Sequence, residues 1–193
     1  MKSPEHIVRA GGVIAFRTDT FYGLGADPFN AVAVGRIREL KGREDDKPIL
    51  LLIADPADVE RLIVDPSREF QELAARFWPG PLTIIGHAVS ELSEEITAGT
   101  GTVGVRLPAD ANLRSLVRDC GGALTATSAN PAGREPARSA EDVRSYFPEG
   151  LDLILDGGEV TAIEPSTVVD ATLSPPRVVR EGAIPARLID LRE

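Results

Sequence analysis

The stretch "PILLLI", Pro48 to Ile53, decides the class of fold that this chain adopts. A strand with one face in water alternates apolar and polar residues, whereas this stretch is apolar at every position after the proline. Such a run is typical of a strand buried on both faces, as in a layered α/β sheet. The stretch therefore predicts a sheet that carries helices on both sides.

Helical patterns and apolar, strand-like runs alternate along the rest of the chain, which favours an α/β fold. The patterns predict helices in SPEHIVRAGG, AVAVGRIREL, DPADVERLI, DPSREFQELAARF, DANLRSLVRDC and SAEDVRSYF. They predict strands in VIAFRT, PILLLI, LTIIGHAV, TVGVRL, ALTAT, LDLIL, STVVD and RVVRE. Short strands in succession near the C-terminus favour some antiparallel pairing. We therefore expect one mixed sheet within a single domain over residues 1–193.

Capping residues mark where several of these helices begin. Ser3 and Asn30 are expected to cap the first two helices, and Ser139 with Asp142 has the spacing of a capping box. Two further helices each open with Asp-Pro. The glycines in "DTFYGLGADPF" are interpreted as turn formers, so this segment is predicted to be a loop.

Composition limits the classes of function. The chain has 30 acidic residues against 21 Lys and Arg, a formal net charge of −9. This balance argues against a nucleic-acid binder driven by electrostatics, although a local cation cluster can still bind a small anion. The single cysteine, Cys120, excludes an intrachain disulfide, and neither His6 nor His87 has neighbours at metal-ligand spacing. With no apolar run near the roughly 18 residues of a membrane span, a cytoplasmic protein is expected.

The loop "ELKGREDDKP" concentrates positive charge in an acidic chain. Lys41, Arg43 and Lys47 fall within seven positions, just before the buried strand. Arginine binds phosphate oxygens through two parallel hydrogen bonds, and lysine acts as a point charge. Taken alone, the loop is equally consistent with a polyphosphate site and with a solvated charged loop.

Other polar groups follow predicted strands, where open α/β sheets bind their ligands. Each has an ordinary alternative, which is turn formation for the hydroxyl and amide groups and a solvent-facing position for the arginines. The candidates are Thr20, Tyr22, Arg106, Ser128, Asn130, Ser166 and Arg180.

The order of these short motifs is more specific than any one of them. TDTFYGL, KGR, WPGPLT, VGVRLP, TSAN, STVVD and RxGA together resemble the YrdC/Sua5 family, the threonylcarbamoyl-adenylate synthases. The resemblance runs from about Gly11 to Pro185. It implies a twisted, mixed β-sheet flanked by helices, around a deep, positively lined cavity. It also implies synthesis of threonylcarbamoyl-AMP and pyrophosphate from L-threonine, bicarbonate and ATP, for the t6A modification at position 37 of tRNA.

The resemblance assigns roles motif by motif. Lys41 and Arg43 match the family's K-x-R and are the implied catalytic pair. The implied ATP-binding residues are Lys41, Arg43, Lys47, Arg106, Ser128, Asn130 and Arg180. The implied L-threonine-binding residues are Thr20, Tyr22 and Ser166.

The resemblance also implies a cofactor and partners. Mg²⁺ is expected to arrive with ATP, without a metal site formed by the protein itself. A transient contact with the enzyme complex that transfers t6A is implied, with tRNA binding weak or indirect and no membrane involved. The length matches the short YrdC-type form without the C-terminal Sua5 domain.

Two positions depart from the family pattern. Asp110 occupies the place where family members often have a histidine, and Ala132 the place where they often have a serine.

Two alternative functions remain open. The chain could be an RNA-binding module, or a diverged or inactive paralogue, including one that acts on another carbamoyl or adenylate substrate.

Overall fold

The computed structural model describes residues 3–42, 47–161 and 164–189. Its helices are α1 (Pro4–Arg9), α2 (Ala31–Lys41), α3 (Arg68–Phe77), α4 (Glu94–Thr97), α5 (Ala111–Asp119) and α6 (Ala140–Tyr146). Its strands are β1 (Ile14–Arg17), β2 (Tyr22–Gly25), β3 (Leu51–Ile53), β4 (Leu82–His87), β5 (Thr102–Arg106), β6 (Ala123–Thr125), β7 (Thr127–Ser128), β8 (Leu153–Ile154), β9 (Thr167–Asp170) and β10 (Arg177–Arg180). Two 3-10 helices cover Pro56–Arg61 and Ala186–Leu188.

The strands form two sheets, where the sequence predicted one. The smaller sheet has the order β7-β2-β1-β8, and the larger has the order β10-β9-β4-β5-β3-β6. Both are mixed, because β1 pairs with β8 in parallel and with β2 in antiparallel fashion, and β4 pairs likewise with β9 and β5. The α/β class and the mixed pairing are confirmed, while the single sheet is wrong.

The stretch "PILLLI" contains a buried strand, β3, as its composition predicted. Strand β3 lies inside the larger sheet, parallel to β5 and antiparallel to β6. All three of its residues are buried. Because neither face meets water, the polar alternation of a one-sided strand is absent.

The prediction of a loop over "DTFYGLGADPF" is wrong in its centre, which forms β2. This strand pairs with β1 and β7, and all four of its residues are buried. A Cβ at Gly25 would lie 2.5 Å from Cε1 of Phe16, on the paired strand. The glycine therefore permits close packing within a strand, and it does not form a turn.

The caps are partly as predicted. The side chain of Asn30 accepts a hydrogen bond from the Ala33 backbone at the start of α2, and the Ser139–Asp142 capping box opens α6. Ser3 occupies the N-cap position of α1 but makes no capping hydrogen bond with its side chain. Pro4 follows at the first helical position, where its missing N–H costs nothing.

The two Asp-Pro segments differ from each other. "DPADVERLI" forms a 3-10 helix that Asp55 caps, so the prediction of an α-helix there is wrong in type. In the second segment the cap is Ser67, whose hydroxyl accepts a hydrogen bond from the Phe70 backbone N–H. Asp65 lies two residues earlier with φ of 40° and does not open the helix.

None of the helices in the described ranges is long and apolar enough to cross a membrane. The single domain over residues 1–193 stays a prediction.

Candidate functional site

A cavity of about 890 Å³ is lined by strands of both sheets. Most of the residues that the sequence singled out line it. They are Thr20, Tyr22, Lys41, Lys47, Arg106, Ser128, Ser166 and Arg180. Arg43, the second residue of K-x-R, lies outside the described residues, as do the neighbouring acids Glu44, Asp45 and Asp46.

Lys41 joins two motifs that are far apart in the sequence. It is the last residue of α2, and its side chain is buried although it is a lysine. Its ammonium nitrogen Nζ donates to the backbone carbonyl oxygens of Ser128 at 2.7 Å and Asn130 at 3.1 Å. These charge-assisted hydrogen bonds hold the positive charge at the cavity wall.

Asn130 closes the loop that follows β7. Its amide Nδ2 donates to the carbonyl oxygens of Pro131 at 3.1 Å and Arg134 at 2.7 Å. Its amide oxygen Oδ1 is buried and has no hydrogen-bond partner among the described residues. Asn130 is not part of the cavity lining. The structure therefore places it behind the wall that Ser128 forms.

Arg106 lies at the end of β5 and is almost completely buried. Its Nε donates to the carbonyl oxygen of Gly80 at 3.0 Å, and its Nη2 donates to a carboxylate oxygen of Asp19. Burial lowers the pKa of the Arg106 guanidinium, and the nearby charge of Asp19 acts in the opposite direction. The second carboxylate oxygen of Asp19 is buried without a partner among the described residues.

Arg180, at the end of β10, lines the same cavity as Arg106. Its Nη2 donates to the carbonyl oxygen of Ser166 at 2.9 Å and lies 3.3 Å from the hydroxyl oxygen of the same residue. Partial desolvation, followed by the like charge of Arg106, lowers the pKa of Arg180. The Ser166 hydroxyl in turn lies 3.0 Å from that of Thr83. Two arginines and two hydroxyls therefore share one part of the cavity.

Thr20 lines the cavity from the loop between β1 and β2. The Thr18 hydroxyl donates to the carbonyl oxygen of Phe21 at 2.6 Å. Its hydrogen is thus committed, and its oxygen already accepts from the backbone N–H groups of Thr20 and Phe21, each at 3.1 Å, so the 3.1 Å contact between the two threonine hydroxyls does not commit the hydroxyl of Thr20. Thr20 keeps lone pairs with which to accept a hydrogen bond from a ligand.

Tyr22 is fully buried. Its hydroxyl donates to the carbonyl oxygen of Gly158 at 2.8 Å and accepts from the backbone N–H of Gly157 at 3.1 Å. The hydroxyl hydrogen is therefore committed to the fold. A contact between Tyr22 and a ligand stays a prediction.

Lys47 lies on the cavity rim and is exposed. Nearby, the guanidinium of Arg38 forms an ion pair with Glu95 at 3.0 Å and donates to the backbone carbonyl oxygen of Lys47 at 3.4 Å. The cationic residues in the described lining are Arg38, Lys41, Lys47, Arg106 and Arg180, against the carboxylates of Glu39 and Glu95. This balance suits an anionic ligand.

Both departures from the family pattern lie outside the described cavity lining. Asp110 caps α5, where its carboxylate accepts from the backbone N–H groups of Asn112 and Leu113. The backbone N–H of Ala132 donates to the carbonyl oxygen of Lys41 at 2.7 Å, a contact that needs no side chain.

Within the described ranges, no group of three or more His, Cys, Asp or Glu side chains could hold a metal ion. Cys120 is buried, and burial raises the pKa of its thiol to about 11. A thiol held protonated in this way is a poor nucleophile and a poor metal ligand.

The sequence indicated Asp19 only as one of several polar residues that could hold a small substrate, and it did not predict the ion pair with Arg106. It gave no role to Thr83. Thr83 ends the WPGPLT motif and lies at the start of an apolar strand pattern, and neither the motif nor the pattern assigned this threonine a role. Only the pairing of β4 with β9, Thr83 opposite Val168, brings it to the cavity.

A family model and two curated relatives match most of this chain, and the two relatives carry the same name. A family model named Sua5_yciO_yrdC and described as "Telomere recombination" matches residues 6–182. A relative from Pyrococcus abyssi named threonylcarbamoyl-AMP synthase is 39% identical over 183 residues, which cover 95% of this chain and 54% of that relative. A relative of the same name from Halorhodospira halophila is 38% identical over 150 residues, 78% of each chain.

Solved structures agree with the sequence matches. The structure of P. abyssi Sua5 complexed with L-threonine has a TM-score of 0.90 and 38% identity, over 96% of this chain and 54% of that one. The chain thus spans about half the length of its P. abyssi relative.

Proposed function

The chain belongs to the Sua5/YciO/YrdC family, and from that premise we propose that it is a threonylcarbamoyl-AMP synthase. It condenses L-threonine, bicarbonate and ATP, releases pyrophosphate, and provides the activated group for t6A modification of tRNA at position 37. One observation carries the proposal. A single cavity collects Lys41, Ser128, Arg106 and Arg180, the matches to the family's motifs, from four different elements of the fold.

The reaction needs positioning and charge neutralisation more than a protein nucleophile. The threonine ammonium and bicarbonate give an N-carboxylate, one water and one proton. An oxygen of that carboxylate then bonds to the α-phosphorus of ATP, while the bond from this phosphorus to the β-phosphate oxygen breaks and pyrophosphate leaves. Placing three small reactants and neutralising their negative charge both lower such a barrier.

Lys41 and Ser128 define the nucleotide half of the proposed site. The Lys41 ammonium lies at the end of α2, bound to the segment that carries S-x-N, so its charge is fixed beside the wall. We assign the phosphates to Lys41 and Arg43, with Lys47 as a further contact and Arg180 on the nucleotide side. The ATP contact of Asn130 stays a prediction, and its amide holds the loop that follows Ser128 through hydrogen bonds to Pro131 and Arg134.

The threonine half lies around Thr20 and Ser166. Thr20 offers an acceptor, which suits an amine or hydroxyl hydrogen of the substrate. Ser166 and Arg106 offer donors, which suit the α-carboxylate. Because Asp19 pairs with Arg106, this half carries both signs of charge, as a zwitterionic amino acid requires. The solved relative with bound L-threonine supports an amino-acid substrate.

Mg²⁺ enters as the counterion of ATP in this proposal. The described residues offer no carboxylate cluster to hold it independently. When bound with ATP, the ion would neutralise part of the negative charge of the triphosphate and of the departing pyrophosphate.

The proposal also covers partners and location. With a net charge of −9, direct tRNA binding is expected to be weak or indirect. The product would pass to the enzyme complex that transfers t6A through a transient contact. Because the tRNA substrate of that transfer is cytoplasmic, we propose the same location for this chain.

Pyrophosphate release tests the proposal. It should require ATP, L-threonine and bicarbonate together, and Lys41→Ala or Arg43→Ala should reduce it roughly 30- to 1000-fold, the range for one desolvated charge contact. Arg68→Ala is the matched control, since this arginine forms an exposed ion pair with Glu72 on α3. Turnover like that of the unsubstituted protein in both Lys41→Ala and Arg43→Ala would refute the assignment.

A further inference from the structure

Thr83, the last residue of the WPGPLT motif, lines the cavity, yet the family resemblance gives it no role. Thr83 lies in β4, is buried, and lines the cavity together with Ser166. Its hydroxyl oxygen lies 3.0 Å from that of Ser166, a contact in which either residue can donate.

The neighbouring strand fixes the orientation of Thr83. A Cβ placed on Gly104 of β5 would lie 2.9 Å from the methyl carbon Cγ2 of Thr83. The methyl group therefore occupies the space that the glycine leaves. With the methyl group held there, the hydroxyl points to Ser166, and rotation about χ1 would bring the methyl group out of that space.

One of the two hydroxyl hydrogens of Thr83 and Ser166 has no acceptor among the described residues. Ser166 accepts from Arg180, and it shares one hydrogen bond with Thr83. The two hydroxyls carry two hydrogens, of which this shared bond uses one. Within the described residues the other hydrogen has no acceptor, whichever residue donates in the shared bond. The pair thus presents one donor to an oxygen atom in the cavity.

We propose that Thr83 is a positioning residue for the amino-acid substrate, acting through the hydroxyl of Ser166. This inference rests on the proposed function only in naming L-threonine as the ligand. Thr83 fixes the direction of the Ser166 hydroxyl, which Arg180 contacts from the nucleotide side, and the Thr83–Ser166 pair receives a carboxylate or hydroxyl oxygen of the substrate. Loss of the Thr83 hydroxyl frees Ser166 to rotate while Arg180 remains in place.

Four variants and two measurements test the inference. The variants are Thr83→Val, which keeps the shape, Thr83→Ser, which keeps the hydroxyl, Ser166→Ala, and Thr83→Val combined with Ser166→Ala. Calorimetry gives the Kd for L-threonine without requiring turnover, and steady-state kinetics gives separate KM values for L-threonine and ATP. Thermal unfolding checks folding, and Thr83→Ala replaces Thr83→Val in the same cycle if the valine variant does not fold.

We expect Thr83→Val to weaken L-threonine binding roughly 5- to 30-fold, the range for one lost hydrogen bond, with the KM for ATP changed less than about 2-fold. Thr83→Ser should bind within about 3-fold of the unsubstituted protein. In the Ser166→Ala background, Thr83→Val should add less than about 2-fold, because a residue that acts through Ser166 has no effect without it.

Three results would overturn the inference: unchanged binding in Thr83→Val, an equal loss in Thr83→Ser, or the full effect of Thr83→Val in the Ser166→Ala background. Failure of the proposed function is a separate outcome. If the protein binds L-threonine in a Thr83-dependent way but makes no adenylate, the inference stands and the proposed reaction is wrong. If it binds no L-threonine, both are wrong.

Discussion

The ammonium group of Lys41 donates a 2.7 Å hydrogen bond to the backbone carbonyl oxygen of Ser128, 87 residues further along the chain. The same group reaches the carbonyl oxygen of Asn130 at 3.1 Å. The C-terminal end of α2 and the segment after β7 are therefore bound to each other, and K-x-R and S-x-N meet through Lys41. A change that disturbs one motif is expected to disturb the other.

Asn130→Asp should release the loop that supports Ser128. The Nδ2 group of Asn130 donates to two carbonyl oxygens, and an aspartate would place an oxygen against both. Two buried acceptors that face each other without a hydrogen between them destabilise the fold by roughly 1–3 kcal/mol, so we expect the free energy of unfolding to fall by about that amount. We also expect the KM for ATP to rise about 10-fold, because the loop beside Ser128 is no longer held in place. Steady-state kinetics and urea unfolding measure the two effects.

Asn112→Asp is the matched control for this charge change. Asn112 is exposed in the first turn of α5, where a negative charge is favourable. Both ATP kinetics and stability should stay close to those of the unsubstituted protein. Equal effects of the two substitutions would show that added charge, and not the loop contact, is responsible.

Asp19→Asn should weaken the part of the cavity around Arg106. Asparagine can still accept a hydrogen bond from Arg106 but no longer balances its charge. Removing one partner of a buried ion pair costs up to roughly 3–5 kcal/mol, and because Asp19 is partly exposed we expect about 2 kcal/mol of unfolding free energy to be lost. The KM for L-threonine should rise more than that for ATP.

Glu72→Gln provides the comparison for Asp19→Asn, because Glu72 forms an exposed ion pair with Arg68. We expect no measurable change in the free energy of unfolding for Glu72→Gln, because solvent screens an exposed pair. A loss at Asp19 no greater than at Glu72 would contradict a structural ion pair in the cavity.

The sequence predicted the fold class because burial leaves a clear pattern. "PILLLI" is apolar throughout and forms a strand inside the larger sheet, and Asn30 caps α2 as its position indicated. The same logic failed for β2, since glycine is common both in turns and where strands pack closely. Only the position of Phe16 on the paired strand separates the two explanations, and that contact is not local in sequence.

The site could be predicted where its residues form motifs. The order of the motifs indicated Lys41, Ser128 and Arg180 as site residues, and the structure places all three in one cavity lining. Asp19 and Thr83 act by pairing with residues 87 and 83 positions away. The contact of Thr83 with Ser166 follows from the register of β4 with β9, and that of Asp19 with Arg106 joins the loop after β1 of the smaller sheet to β5 of the larger one, neither of which short sequence patterns specify.

Gly25→Ala tests the close packing of β2 against β1. The new methyl carbon would lie 2.5 Å from Phe16, so the core must shift, and we expect a loss of roughly 1–3 kcal/mol in urea unfolding. Gly35→Ala, in α2, meets nothing within 4 Å and should instead stabilise the protein by about 0.5–1 kcal/mol. The same sign for both substitutions would contradict the packing described for β2.

Cys120 should make stability depend on alkaline pH. The pKa of its thiol is about 11 in the folded protein, because of burial, against roughly 8.5–9 when unfolded. Between these values the folded state keeps a proton that the unfolded state loses, so stability falls as pH rises from about 9 to 11, by roughly 2–3 kcal/mol. Cys120→Ala should flatten this slope in urea unfolding at pH 8, 9, 10 and 11, and an unchanged slope would contradict the assignment.

Incorporation of ¹³C-bicarbonate tests the central claim most directly. The purified chain is incubated with ATP, Mg²⁺, L-threonine and labelled bicarbonate, and the mass of the adenylate product is measured by mass spectrometry. The proposed function predicts threonylcarbamoyl-AMP heavier by about one mass unit than the product from unlabelled bicarbonate, with Lys41→Ala reducing its formation roughly 30- to 1000-fold. ATP consumption without a labelled adenylate, or equal labelling by the Lys41→Ala variant, would contradict it.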